Sequence, residues 1–354
     1  MGSGCSLVWL NNININYIMK DLNDFSLLSY NTFGMDVSCR RFVEFASVDE
    51  LLHVLPTVSA NDRVLVIGGG SNLLFLDDFK GTVLHSAIKG IEAEVVDGGV
   101  RVRCGSGETW DDVVAHCVTH GWYGMENLSL IPGEVGASAV QNIGAYGVEA
   151  KDVIESVEAV DMSNGKRCVF AAEDCDYGYR QSRFKGEWLG RYVITHVVYR
   201  LSPVFVPHLD YGNIRQVLDS RGIVDVSAAD VRDVVIAIRR EKLPDPAVEG
   251  NAGSFFMNPI VTREQFLSIC NRHGDVPHYD VDERYVKIPA GWMIDRCGWK
   301  GRSLGCAGVH ARQALVLVNR GGAKGRDILA LCEAIRSDVK REFNVDISPE
   351  VNII

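Results

Sequence analysis

Apolar residues recur at helical spacing in five places along this 354-residue chain. Ser47-Val48-Asp49-Glu50 has the form of a capping box ahead of Leu51, Leu52, Val54 and Leu55. A second helix is predicted from Thr109 through Val113, Val114 and Val118, stopping at Gly121. A third starts at Ser227, with Val231, Val234, Val235 and Ile238 on one face. Thr262 and Gln265 open a fourth, and residues 326–343 form a long last helix with Ile328, Leu329, Leu331, Ile335 and Val339. Between them, short apolar or alternating runs predict strands at 64–67, 82–85, 100–103, 157–160, 192–201, 314–318 and 351–354.

This mixture predicts an α+β fold. Breaks fall near 202–212 and at Lys242-Leu243-Pro244-Asp245-Pro246, where two prolines forbid helix continuation. The expected organisation is an extension over 1–24 with little order, a region over 25–203 and a C-terminal domain over 204–354. No repeat or low-complexity segment interrupts it.

Composition removes some function classes. The net charge of −10 argues against a broad phosphate-backbone binder, so no nucleic-acid partner is expected. The ten cysteines form no CxxC pair, which fits reduced thiols in a cytoplasmic protein. No apolar run reaches the ~20 residues of a membrane span. Residues 1–18 lack the form of a signal peptide. Met-Gly-Ser-Gly-Cys-Ser fits the loose myristoylation pattern, and Met19 is an alternative start.

Two glycine-rich loops carry candidate chemistry. The first, Gly68-Gly69-Gly70-Ser71-Asn72, follows a strand and precedes another. Consecutive glycines let amides converge on an anion, or simply make a tight turn. It is neither a P-loop nor a dinucleotide fingerprint, because Leu73 follows and no Gly-Lys-Ser does. The second runs from Ile131 to Gly147. Small residues there would let the main chain approach a flat ring closely. Together the loops suit a long ligand with a pyrophosphate and a planar heterocycle. His116 and His120 share a helix face but lack a third ligand, and no metal is expected.

The strings GGGSNLLF, IPGEVGASAVQNIGAYG, YGYRQSRF, KLPDP, GNAGSFFMNP and SPEV, with Asn31-Thr32-Phe33-Gly34 near the start, resemble the UDP-N-acetylenolpyruvoylglucosamine reductase family. The resemblance spans about residues 29–353, in family order. It implies an FAD-binding region of the vanillyl-alcohol-oxidase type and a smaller α+β substrate domain. It also implies the family's first type, in which a tyrosine loop (Tyr211-Gly212) closes over substrate.

The implied reaction passes hydride from NADPH to non-covalent FAD and on to an enolpyruvyl UDP-sugar, in peptidoglycan precursor synthesis. The implied catalytic residues are Arg180 at the substrate carboxylate, Ser254 as proton donor and Glu350 assisting. Without the resemblance they would read as an ion-paired arginine, a turn serine and a solvated glutamate. Implied flavin contacts are Gly68, Gly69, Gly70, Ser71, Asn72, Ile131, Pro132, Gly133, Gly136, Ser138, Asn142, Gly144, Ala145, Tyr146 and Gly147. Implied sugar-nucleotide contacts are Tyr211, Lys242, Asn258 and Gln313. Glu134, Ala139 and Met257 depart from the usual pattern. A monomer is expected. An FAD-linked oxidase and an idle nucleotide-binding protein are the competing readings.

Overall fold

The computed structural model describes residues 19–58 and 61–354. The N-terminal lipidation pattern lies outside the described residues. β1 (Lys20–Ser26) begins inside the stretch read as an extension and pairs antiparallel with β2 (Ser38–Phe45). After α1 (Val48–Val54) come β3 (Val64–Ile67), β4 (Leu73–Leu74) and β5 (Phe79–Ser86). The first sheet has the order β1-β2-β5-β3, with β2 and β3 both parallel to β5. Ser47 caps α1 by accepting from the Glu50 amide, as its capping box predicts.

A second sheet follows. β6 (Ile91–Val96) and β7 (Gly99–Gly105) are succeeded by α2 (Trp110–Thr119) and α3 (Val135–Gln141). The hairpin of β8 (Gly144–Ala145) and β9 (Val148–Glu149) then leads to β10 (Ile154–Asp161), β11 (Arg167–Ala171) and β12 (Tyr192–Leu201). Strand order is β11-β10-β12-β7-β6, antiparallel throughout. α2 and α3 cover one face, burying Trp110, Val113, Val114, Val135 and Ala139 against Val102, Val197 and Tyr199.

α4 (Ile214–Ser220) and α5 (Ala228–Lys242) pack on each other around Leu218, Val231, Val234 and Ile238. Beyond them run β13 (Asn251–Ser254), β14 (Ile260–Thr262), α6 (Arg263–His273), β15 (Tyr279–Asp280), β16 (Tyr285–Lys287) and α7 (Ala290–Arg296). β17 (Ser303–Leu304), β18 (Ala307–Val309), β19 (Val316–Asn319), α8 (Gly325–Phe343) and β20 (Asn352–Ile353) complete the chain. The β13-β19-β18-β17 sheet carries α8, which buries Ile328, Leu331, Cys332, Ile335, Val339 and Phe343. That spacing of three and four is the helical stripe expected, although Leu329 stands only half-buried beside it.

Two features tie the ends of the chain together. Phe33, Met35 and Leu74 belong to the same buried core as Phe255, Phe256 and Val351. β20 pairs parallel with β4, so the last strand lies directly beyond the first glycine loop.

Candidate functional site

The first loop is shaped by its neighbours. Gly70 has φ +64°, and a Cβ there would stand 1.9 Å from the Tyr30 carbonyl oxygen. Only glycine fits so close to another backbone in that region of φ. The Gly70 carbonyl accepts from the Thr32 amide. The Asn31 side chain ties its own turn, donating to the carbonyls of Leu27 and Met35 and accepting from the Met35 amide. Thr32 in turn accepts from the Asn251 amide, so the Asn31–Gly34 motif joins the loop to β13. Among the described residues, the amides of Gly68, Gly69, Gly70, Ser71 and Asn72 donate no hydrogen bond. Five consecutive unspent donors fit an anionic group such as the pyrophosphate of FAD.

The second loop is held alongside. The amides of Trp110, Val135 and Gly136 bond the carbonyls of Gly133, Glu108 and Ser106, and Ser71 Oγ donates to the Pro132 carbonyl at 3.1 Å. Small residues are required here too, since a Cβ on Gly136 would meet Ser106 at 2.9 Å. Besides Ser71 and Asn72, two implied flavin contacts of the second loop have side chains bonded within the protein. Ser138 is buried and bonds the Val135 carbonyl and the Tyr199 hydroxyl. The Asn142 amide is fully buried and joins Glu149, Gly178 and Lys151. These two shape the loop around Gly144, Ala145, Tyr146 and Gly147, while Ile131 packs against the second-sheet core.

Glu134 gives the first loop a charged neighbour. A Cβ on Gly68 would stand 3.0 Å from its Oε2. His85 bridges Glu134 at 3.1 Å and Glu44 at 2.9 Å, and Lys20 meets the other Glu44 oxygen at 2.7 Å. Burial pulls His85 down, but the two carboxylates outweigh it and its pKa lies above the ordinary value. His85 therefore ties Glu134, the carboxylate beside the loop, to Glu44.

Two of the three implied catalytic residues, Arg180 and Glu350, meet, and the strand of the third, Ser254, runs beside Glu350. Arg180 sits in the turn between Gly178 and Gln181, at φ +55°. Its Nη2 donates to the Gly144 carbonyl at 2.8 Å, and its Nε lies 2.9 Å from Glu350 Oε1. That Nε–H has no acceptor at hydrogen-bonding angle, so its contact with Glu350 is an ion pair. Glu350 donates its amide to the Phe255 carbonyl at 2.8 Å, and Met257 donates to Ser348, which sets Ser254 one residue from the Glu350 contact. Asn72 Nδ2 reaches the Glu350 carbonyl at 3.4 Å. Burial pushes the Glu350 carboxyl up, Arg180 and Lys185 pull it back, and the net direction is upward.

Tyrosines flank this pair. Burial and Glu350 raise Tyr179, whose hydroxyl meets Asn258, and Lys287 Nζ lies 4.7 Å from its ring centroid. Tyr211 stacks on Tyr279 at 5.8 Å and rests over Gly147, where a Cβ would meet it at 3.2 Å. Asn258 Oδ1 accepts the Ala290 amide, and Gln313 Oε1 accepts the Leu315 amide beside Gly291. Lys242 is exposed at the end of α5 and makes no ion pair among the described residues. His116 and His120 stack on one another and on Trp122. The residues that sequence reasoning passed over are Tyr179, Lys185, Tyr279 and Lys287. Tyr179 lies inside a quoted motif and Lys185 directly after it, whereas nothing in the sequence signalled Tyr279 or Lys287.

A family model described as FAD binding domain matches residues 39–170, and one described as UDP-N-acetylenolpyruvoylglucosamine reductase, C-terminal domain, matches residues 245–354. A UDP-N-acetylenolpyruvoylglucosamine reductase from Bacteroides fragilis (strain YCH46) is 56% identical over 331 residues, 93% of this chain and 99% of that protein. One from Burkholderia cenocepacia (strain HI2424) is 49% identical over 335 residues, 93% and 95% of the two chains. The crystal structure of UDP-N-acetylenolpyruvylglucosamine reductase from Thermus caldophilus superposes with TM-score 0.65 at 22% identity, covering 95% of this chain and 99% of that one. That last likeness speaks to the fold.

Proposed function

Because the chain belongs to the UDP-N-acetylenolpyruvoylglucosamine reductase family and is an FAD-dependent oxidoreductase, we propose that it reduces UDP-N-acetylenolpyruvoylglucosamine to UDP-N-acetylmuramate. NADPH is the hydride donor in this reading, FAD is held without a covalent bond, and the setting is cytoplasmic peptidoglycan precursor synthesis. Residues 25–203 serve the flavin and 204–354 the sugar nucleotide. The observation that carries it is the meeting of Arg180 and Glu350 beside the Ser254 strand, next to a first loop whose five amides stand unspent.

The amides of residues 68–72 and the second loop would hold FAD, which would supply hydride chemistry for the methylene carbon of the enolpyruvyl group. Negative charge then develops on the adjacent carbon and spreads into the carboxylate. Arg180 suits that charge, because it stays protonated and its Nε–H lacks an aligned acceptor within the protein. Its bond to Gly144 holds the guanidinium against the second loop. Ser254 Oγ is the proton donor to carbon. Glu350, whose carboxyl burial pushes above its ordinary value, assists that transfer through a water or through the serine. Tyr211, Asn258, Gln313 and Lys242 orient the sugar nucleotide, Lys242 as a point charge toward phosphate.

An absorbance spectrum of purified protein, followed by NADPH oxidation with and without the enolpyruvyl sugar nucleotide, tests this. Flavin bands and sugar-dependent NADPH consumption are expected. A colourless protein, or rapid reoxidation by oxygen with no need of the sugar, would overturn it.

A further inference from the structure

Lys185 lies in the short turn Arg183–Lys185, five residues after Arg180. The turn is anchored by the buried Phe184 and by Ser182 Oγ, which donates to the Val140 carbonyl at 2.7 Å. From there Lys185 folds back, and its Nζ donates to the Arg180 carbonyl at 3.0 Å. Among the described residues it makes no ion pair with a carboxylate. Its positive charge is therefore directed at one backbone carbonyl and at the field of Glu350.

That carbonyl belongs to a residue in an unfavourable conformation. Arg180 has φ +55°, where a residue with a Cβ is strained. The contact from Lys185 is a charge-assisted hydrogen bond, one of the stronger kinds available to a backbone carbonyl. Burying an ammonium is unfavourable, and burial does pull Lys185 below its ordinary value, with Glu350 opposing and Arg180 adding to the effect. The charged groups facing Glu350 are Arg180 and Lys185, and Tyr179 lies close enough to sense its charge.

We propose that Lys185 is a positioning residue for the Arg180–Glu350 pair: its ammonium clamps Arg180 in the left-handed backbone conformation that directs the guanidinium onto Glu350, and it gives Glu350 a second positive neighbour. This rests on the reading of Arg180 and Glu350 given above.

The test uses full-length protein with FAD bound. Lys185→Met removes both clamp and charge. In a crystal structure of K185M, Arg180 leaves positive φ. In carbon-13 NMR of glutamate carboxyls, with Glu350→Gln assigning the signal, the Glu350 midpoint rises by about one pH unit. Turnover with the sugar nucleotide falls about tenfold, while the KM for NADPH stays at the wild-type value. Lys185→Arg restores the midpoint and most of the turnover. Arg180 still at positive φ on Glu350 in K185M, or an unmoved Glu350 midpoint, overturns the proposal. Should K185M fail to fold, Lys185→Gln keeps a donor and loses the charge; an unmoved midpoint there overturns it equally. Wild-type protein that turns over no sugar nucleotide defeats the functional reading, whereas the structural and NMR readouts still decide the role of Lys185.

Discussion

Arg180 illustrates how several demands meet at one residue. One end of its guanidinium is fixed on the Gly144 carbonyl, its Nε faces Glu350, and its own backbone is held at positive φ. Ser254 differs, since it is placed by strand pairing alone: β13 pairs with β19 at Val316, and Phe255 receives the Glu350 amide. Its hydroxyl is thus free to serve one step without holding anything else in place. Ser254→Ala should leave flavin reduction by NADPH nearly normal and slow reoxidation by the sugar nucleotide by about 100-fold or more. Stopped-flow absorbance separates the two halves, and equal losses in both would disprove the assignment. The closeness of Arg180 and Glu350 was foreshadowed by the distinctive strings that carry them. Lys185 was not, because its partner is a backbone carbonyl whose exposure depends on the left-handed φ of an arginine, which residue type does not announce. That the side chains of Ser138 and Asn142 bond the protein's own backbone was not legible, because residue type alone does not separate a loop-shaping side chain from a ligand contact.

Among the elements, the contact between α2 and α5 links the second-sheet layer to the helical pair of the C-terminal part. Asp111 accepts from Arg232 at 2.6 and 3.0 Å and from the Leu130 amide, at the threshold of the second loop. Burial pushes Asp111 up, but Arg232, the Leu130 amide and Arg239 outweigh it and hold the carboxyl below its ordinary value of 3.8. A lowered folded-state value means stability present above the unfolded value and lost as pH falls through the folded one. Asp111→Asn should therefore cost about 2 kcal/mol at pH 7, with the gap to wild type closing below about pH 4. Urea unfolding across pH would show it, and a gap constant down to pH 3 would contradict it. Helices with strong caps were legible: Ser227 and Asp230 form the predicted capping box of α5, and Thr262 caps α6. Thr109 was legible as a start for another reason, since it makes no side-chain cap and the Gly133 carbonyl takes the next amide instead. β1 was not legible because an exposed edge strand reading KDLNDFS has little apolar alternation to show. β13, reading NAGS, is too small and polar to signal a strand without its partners.

Across the whole molecule, the loop that presents unspent amides and the segment that carries Glu350 are stitched together by the last residues of the sequence. Asn352 donates its amide and its Nδ2 to the Asn72 carbonyl at 3.1 and 3.2 Å, Ile354 donates to Leu74, and Leu76 donates to Ile354. Asn72 closes the circuit by reaching the Glu350 carbonyl. The first glycine loop and the Glu350 segment are thus parts of one hydrogen-bonded unit, although 278 residues separate them along the chain. Deleting Asn352–Ile354 removes these bonds, each contributing about 1 kcal/mol net. If only part of that loss is felt at the glycine loop, FAD affinity still falls by about tenfold, equivalent to ~1.4 kcal/mol. Sugar-dependent turnover should fall further, because Glu350 loses its registration in the same event. Fluorescence titration of FAD into stripped protein, compared with full-length protein prepared identically, measures the first effect. Unchanged FAD affinity in a truncated protein with wild-type unfolding behaviour would mean that the loop holds its shape through Tyr30 and Thr32 alone, and that the closing strand serves Glu350 only.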